Sequence, residues 1–274
     1  MSRSHREAAS GNLKISMRDN YSEHGVEDYY TKVGSTYRNP HFPGIKNCLF
    51  LWFNQWWTKE SFRVRENGFT VFDMACGSGE TTVSLIEWWK TGKALHAFQE
   101  AQNSLSDAPR GRVNPFTAPP LEPTFARPTI LAADPYTADA FFARTGLYNC
   151  SQLAFKDIAD GSLPPLPLSS VRPIGESDAI PERTKNANIE MVICSFALHL
   201  IASPSELFSL LWELSTRCRW LVVLAPHKKP EIKDGWGWQK WNIDTWSEVS
   251  MTETEGEILH ARVHCRVYRS LNMS

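Results

Sequence analysis

The chain has 274 residues, of which 42% are hydrophobic and 12% aromatic. That length suits one α/β domain with insertions, and that apolar content excludes global disorder. Lysine and arginine number 29 against 30 acidic residues, a formal net charge of −1, which excludes a global electrostatic pull toward nucleic acid or an anionic membrane.

The six cysteines, Cys48, Cys76, Cys150, Cys194, Cys218 and Cys265, are scattered without a paired spacing. A zinc knuckle is therefore not indicated, and buried thiols in a reducing compartment are expected. The polar first residues lack the apolar stretch of a secretory signal. No apolar run approaches the ~20 residues that span a bilayer. The expectation is a soluble cytoplasmic or nuclear protein that does not engage membranes.

In chain order, residues 1–20 read as a flexible tail, polar and aperiodic. Residues 21–67 read as an N-terminal helical lid on a single domain that runs to residue 274. Within it Ile45, Leu49, Trp52, Phe53 and Trp56 recur at steps of three and four, one face of a helix that Pro43 begins. Residues 68–74 predict a short strand that ends in a glycine turn, and 80–89 a helix carrying Val83, Ile86 and Trp89. Strand, turn and helix make the first unit of a doubly wound sheet.

A proline-rich insertion, 92–127, is expected to be mostly loop with one short helix at 94–104. A strand at 129–133 ends in Asp134, and a helix at 137–144 is closed by Gly146. A short strand at 152–155 precedes Asp157, and a second proline-rich insertion spans 161–188. The apolar run 189–195 reads as a strand buried on both faces. Ser203 and Pro204 then open a helix with Leu207, Leu210, Leu211 and Leu214 inward, and 220–225 is a fifth strand. From 259 to 267 the residues alternate, which predicts one half-exposed strand, paired antiparallel with a strand within 241–251. The fold class is thus α/β: a doubly wound, Rossmann-like, mostly parallel sheet with an antiparallel C-terminal strand and helices on both faces.

The chemistry centres on Asp73, Ala75, Gly77 and Gly79, small residues at alternate positions between a strand and a helix. Such a turn lets backbone approach a ligand closely. The lysine and hydroxyl ending of a phosphate-binding loop is absent, and so is the dinucleotide glycine spacing. This pattern resembles the first motif of the class I S-adenosylmethionine (SAM)-dependent methyltransferases, with Ala75 in place of the first glycine. The resemblance covers an ordered series of strands from about Tyr29 to Tyr268. It is specific for the superfamily and not for a substrate.

The resemblance implies SAM as cofactor and assigns roles. Asp134, with Pro135, would take the ribose hydroxyls, although it lies 61 residues after Asp73; the competing role is a helix cap. Asp157 would hold the adenine amino group and Ile158 would flank the ring; the alternative is a turn-forming aspartate. Ser195 and Phe196 would line the methionine side. His199 would take a proton from the nucleophile, or else pack under the following helix. Tyr30 and Tyr37 belong to a segment that would cover the cofactor, where Arg38 would pair with the methionine carboxylate; packing is the alternative for the tyrosines. After the fifth strand, His227, Lys228, Lys229 and Lys233 precede Trp236, Trp238 and Trp241. That stretch would grip an anionic planar substrate, or be a solvated run followed by tryptophans covering the sheet edge.

The expected activity is methyl transfer to an oxygen or nitrogen nucleophile of a small molecule. The alternatives are an RNA or protein substrate, and a non-catalytic SAM-binding sensor or scaffold. SAM already activates its methyl group, so neither a catalytic triad nor a metal is required.

Overall fold

A computed structural model describes residues 34–66, 68–103, 114–166 and 189–273. The expected tail, Tyr29 and Tyr30, and most of the second insertion lie outside the described residues. Chain order gives α1 (Phe42–Val64), β1 (Thr70–Met74), α2 (Glu80–Asn103), β2 (Thr129–Ala133), α3 (Ala138–Thr145), β3 (Cys150–Ser151) and α4 (Phe155–Ala159). Then follow β4 (Ile189–Ser195), α5 (Pro204–Ser215), β5 (Cys218–Ala225), β6 (Trp238–Asn242), β7 (Ser247–Glu248), β8 (Ile258–His260) and β9 (Val263–Ser270).

The sheet order is β3-β2-β1-β4-β5-β9-β6-β7, with β8 paired to β9. From β3 to β5 every pairing is parallel. At β9 the sheet turns antiparallel. The fold is therefore the doubly wound, Rossmann-like α/β sheet that the sequence implied. Its central strands are buried along nearly their whole length, which their unbroken apolar runs require.

Two cores lie on opposite faces. One joins Trp52, Trp56, Trp57 and Trp88 of α1 and α2 to Val71, Ile193 and Trp220. The other sets Leu207, Leu210, Leu211 and Leu214 of α5 against Phe72, Val192 and Leu221. Ser203 caps α5, its hydroxyl accepting the Glu206 N–H at 3.4 Å, with Pro204 in the first turn.

Several expectations are corrected. Helix α1 is a core element laid on the sheet, since Ile45, Leu49, Trp52, Phe53 and Trp56 are all fully buried; among the described residues of the expected lid, Tyr37, just before the helix, reaches the crevice. Helix α2 runs unbroken for 24 residues, so the expected separate helix at 94–104 is its last turns. The described end of the first insertion is irregular yet packed: Leu121 and Phe125 enter the core, and Leu121 N–H bonds the Gly92 carbonyl at 3.0 Å. Strand β3 is two residues long and sits earlier than expected.

The expected strand at 259–267 is a hairpin. His260 pairs with Val263, so Ala261 and Arg262 form a two-residue turn with φ of 47° and 66°. A turn of that hand normally recruits asparagine and glycine, and alanine–arginine carries no such signal. Arg266, expected on the open face, is buried. Its guanidinium donates to the carbonyls of Lys228, Lys229 and Pro230 at 2.8–3.1 Å.

Candidate functional site

The order of strands reverses at β1, flanked by β2 and β4. In an open α/β sheet the ligand crevice lies beyond the strand carboxyl ends at such a point. A cavity with about 200 Å3 of water-accessible space opens there.

The glycine turn forms its floor. Cys76 N–H bonds the Ala133 carbonyl at 3.0 Å, and Gly79 N–H closes on the Cys76 carbonyl at 2.8 Å. Ala75 and Gly77 line the cavity. Ala75 holds φ of 54° and Gly77 of 55°, left-handed values that cost a non-glycine residue roughly 1–2 kcal/mol. A Cβ on Gly77 would stand 2.9 Å from the Tyr37 ring. Glycine there admits Tyr37, which itself lines the cavity.

Asp134 and Pro135 line it from the end of β2. Asp134 Oδ1 accepts the N–H groups of Tyr136 and Thr137 at 2.9 and 3.0 Å. Its Oδ2 accepts Gly77 N–H at 3.2 Å. The carboxylate thus caps the entry to α3 and tethers the glycine turn at once. Three of its roughly four acceptor positions are used.

Ile158, Leu153 and Phe155 form the wall after β3, and Ser195, Phe196 and Leu200 the wall after β4. Ser195 Oγ is buried with no hydrogen-bond partner among the described residues. Phe196 has φ of 59°, strain that a bulky residue keeps only when its surroundings demand it. His41 supplies part of that demand by stacking on the Phe196 ring, centroids 4.9 Å apart.

Other expected site residues stand elsewhere. Asp73 lies behind the turn, buried, its Oδ2 accepting the Thr82 N–H and hydroxyl at 3.0 and 2.7 Å. Burial pushes its carboxyl up to about 8, against the lowering effect of those two bonds. Gly79 packs against α3; a Cβ there would meet Thr145 at 2.6 Å. Arg38 is exposed and donates to the Tyr37 carbonyl at 2.6 Å. Asp157 is exposed and accepts the Ala154 N–H at 2.8 Å, so it caps α4 and does not line the cavity.

His199 sits in the 3-10 turn between the lining residues Ala197 and Leu200 but is not itself part of the lining. Its ring meets His227 edge-on at 5.4 Å. Burial, and then the neighbouring His227, hold its pKa below the ordinary imidazole value. Trp238 is buried, its Nε1 donating to the Leu211 carbonyl at 2.7 Å, and the half-buried Trp241 packs on Trp220; neither lines the cavity.

One network escaped the sequence altogether. Glu80 is buried, and its Oε1 accepts the Ser78 hydroxyl at 2.6 Å, Arg144 Nη1 at 2.8 Å and Asn39 N–H at 3.2 Å. It fastens the segment that precedes α1 to the glycine turn and to α3. Its partners come from points 41 and 64 residues away, which no local motif encodes. Tyr136, Leu153 and Phe155 were missed for a different reason: each adjoins a motif whose charged member drew the attention.

Fold and crevice together define a doubly wound α/β protein with a cavity at its switch point. No family model matches the sequence. The chain is 40% identical over 262 residues to uncharacterized protein C17A5.05c of Schizosaccharomyces pombe, covering 96% of this chain and 95% of that one. It belongs to the same family as that fission yeast protein. Among solved structures it is similar to the magnesium protoporphyrin IX methyltransferase of Synechocystis PCC 6803 with bound SAM. That match has 13% identity and a TM-score of 0.35 over 94% of this chain and 97% of the other, too remote to bear on the argument.

Proposed function

We propose that the protein is a SAM-dependent methyltransferase acting on an oxygen or nitrogen nucleophile of a small molecule. One observation carries the reading. Ala75 and Gly77 of the turn, Asp134 after β2, Ile158 after β3, and Ser195 and Phe196 after β4 line a single cavity at the switch point.

The residues fit the cofactor. Asp134 keeps an acceptor position for a ribose hydroxyl while it holds the turn. Ile158 and Phe155 offer apolar faces to an adenine ring. Ser195 Oγ, buried and unpartnered among the described residues, suits a polar atom of the amino-acid end. When bound, SAM supplies a methyl group already activated by its sulfonium.

The chain's own work is then positioning and exclusion of water. Tyr37 covers the turn, and the network around Glu80 fixes the segment that carries it. Phe196, backed by His41, walls the side where an acceptor would enter. His199 stands one layer behind that wall. The balanced overall charge favours a small acceptor over a polyanionic one.

Calorimetry with SAM and S-adenosylhomocysteine tests the pocket. Methyl transfer from labelled SAM to a cell extract, fractionated by size, tests the chemistry. Binding of both ligands and label in the small-molecule fraction are expected. Failure of the folded protein to bind either ligand would sink the cofactor assignment. Binding without transfer would make it a sensor, and label in RNA or protein would overturn the small acceptor.

A further inference from the structure

Cys76 and Cys150 approach each other behind the glycine turn, sulfur to sulfur 3.4 Å. Both are anchored to the end of β2. Cys76 N–H bonds the Ala133 carbonyl, and Cys150 lies opposite Ala132 in the β2–β3 pairing. A disulfide needs about 2.05 Å between sulfurs, so the pair is near bonding distance without being bonded; both are free thiols. The two differ in access. Cys76 is buried, whereas Cys150 is half-buried on β3, the edge strand of the parallel half of the sheet.

We infer that Cys76 and Cys150 are a modification site, oxidised to a reversible disulfide that staples the glycine turn to β3. The oxidant is hydrogen peroxide. Cys150 meets it first: the sulfur attacks one peroxide oxygen, the O–O bond breaks, and Cys150 becomes a sulfenic acid with release of one water. The Cys76 sulfur then attacks the Cys150 sulfur, the S–O bond breaks, and the departing hydroxide leaves as a second water with the Cys76 proton. Two thiols lose two electrons in total and the peroxide gains them. Burial and the adjacent Cys150, Asp73 and Asp134 push the Cys76 thiol well above its ordinary range. That makes it a poor first nucleophile; it serves as the resolving sulfur by proximity, 3.4 Å from Cys150.

The bond has a consequence for the cavity. Cys76 sits between Ala75 and Gly77, both lining residues, and Gly77 N–H is held by Asp134. Drawing Cys76 toward β3 displaces that N–H and the carboxylate that accepts it. Oxidation is therefore expected to weaken ligand binding at the cavity. This second half rests on the SAM reading; the thiol chemistry does not.

The test treats the full chain with hydrogen peroxide and maps its cysteines by alkylation and peptide mass. A Cys76–Cys150 crosslinked peptide is expected, two hydrogens lighter and restored by dithiothreitol. Cys150→Ser should lose the crosslink. In Cys76→Ser, dimedone should trap a sulfenic acid on Cys150. Absence of the crosslink while Cys150 is otherwise oxidised would overturn the site. S-adenosylhomocysteine affinity, measured before and after oxidation, should fall tenfold or more in the wild type and stay unchanged in Cys150→Ser. Equal affinity in both redox states would overturn the regulatory half. A crosslink in a chain that never binds S-adenosylhomocysteine would leave the thiol site standing and refute the proposed cofactor instead.

Discussion

The two ends of the parallel strands are built to different rules. At the amino ends, charge and indole are interlocked. Glu190 accepts from Trp56 Nε1 at 3.2 Å and lies 3.9 Å from Arg219. Arg269 lies over both Trp220 and Trp241 and 3.8 Å from Glu60. At the carboxyl ends the backbone is strained at Ala75 and Phe196, whereas buried polar atoms without a partner among the described residues occur at both ends, Ser195 Oγ at one and Trp52 and Trp220 Nε1 at the other. The contrast teaches where stability is gathered and where it is spent. Backbone strain persists only where a rigid remainder holds it.

Substitutions at each end break that comparison differently. Trp220→Ala at the amino end should have the largest effect, about 3–5 kcal/mol of unfolding free energy, because a fully buried indole leaves a cavity. Denaturant titration measures it, and S-adenosylhomocysteine affinity of the folded fraction should hold. Loss of affinity in step with stability would erase the distinction between the two ends.

Asp134→Ala at the carboxyl end should weaken S-adenosylhomocysteine binding tenfold or more. It should also cost about 1–2 kcal/mol of stability, because three backbone N–H groups lose their acceptor. Stability lost with affinity intact would reduce Asp134 to a cap.

Asp73 gives a pH-dependent effect. Its carboxyl titrates at about 8 when folded against 3.8 ordinarily, so the folded state retains a proton that the unfolded chain releases. The associated stability is complete below about 3.8 and is lost as pH rises through about 8. Asp73→Asn should flatten this decline and melt higher than the wild type above about pH 8. A wild type whose melting temperature does not fall across that window would contradict the protonated carboxyl. The smallest effect is expected from His199→Gln, less than tenfold in methyl transfer, since the ring faces His227 outside the cavity. A loss of 10²-fold or more, the scale of general-base catalysis, would place the imidazole at the reacting atoms.

The parallel half was legible because local pattern and global role agree there. The strands β1, β2, β4 and β5 are apolar runs that a two-sided burial demands, and Ser203–Pro204 and Gly146 mark helix ends by their own chemistry. In the antiparallel half the C-terminal strand was legible but its hairpin was not, because the turn at Ala261–Arg262 uses residues without turn preference, and Arg266 is buried by carbonyls far away in sequence. In the candidate site, small and apolar positions such as Ala75, Ile158 and Phe196 were found where motif and lining coincide. Acidic residues were harder. Asp73 and Asp157 each satisfy a nearby N–H, and a carboxylate drawn to its own backbone looks the same in sequence as one aimed at a ligand.

The position of β9 has a consequence for how the molecule is made. It follows β6 in the chain yet lies between β5 and β6. During synthesis β5 therefore emerges with a bare edge, and β6 paired only with β7, until residue 270 has left the ribosome. The nascent chain carries an open, largely apolar β5 edge for that interval, the kind of surface that chaperones bind and that aggregates when left uncovered. Insertion of β9 then seals the edge and brings Arg266 under the loop at 228–230 in one event. The rim beside the crevice thus takes its final shape last, and a stalled or shortened chain would carry the glycine turn without it.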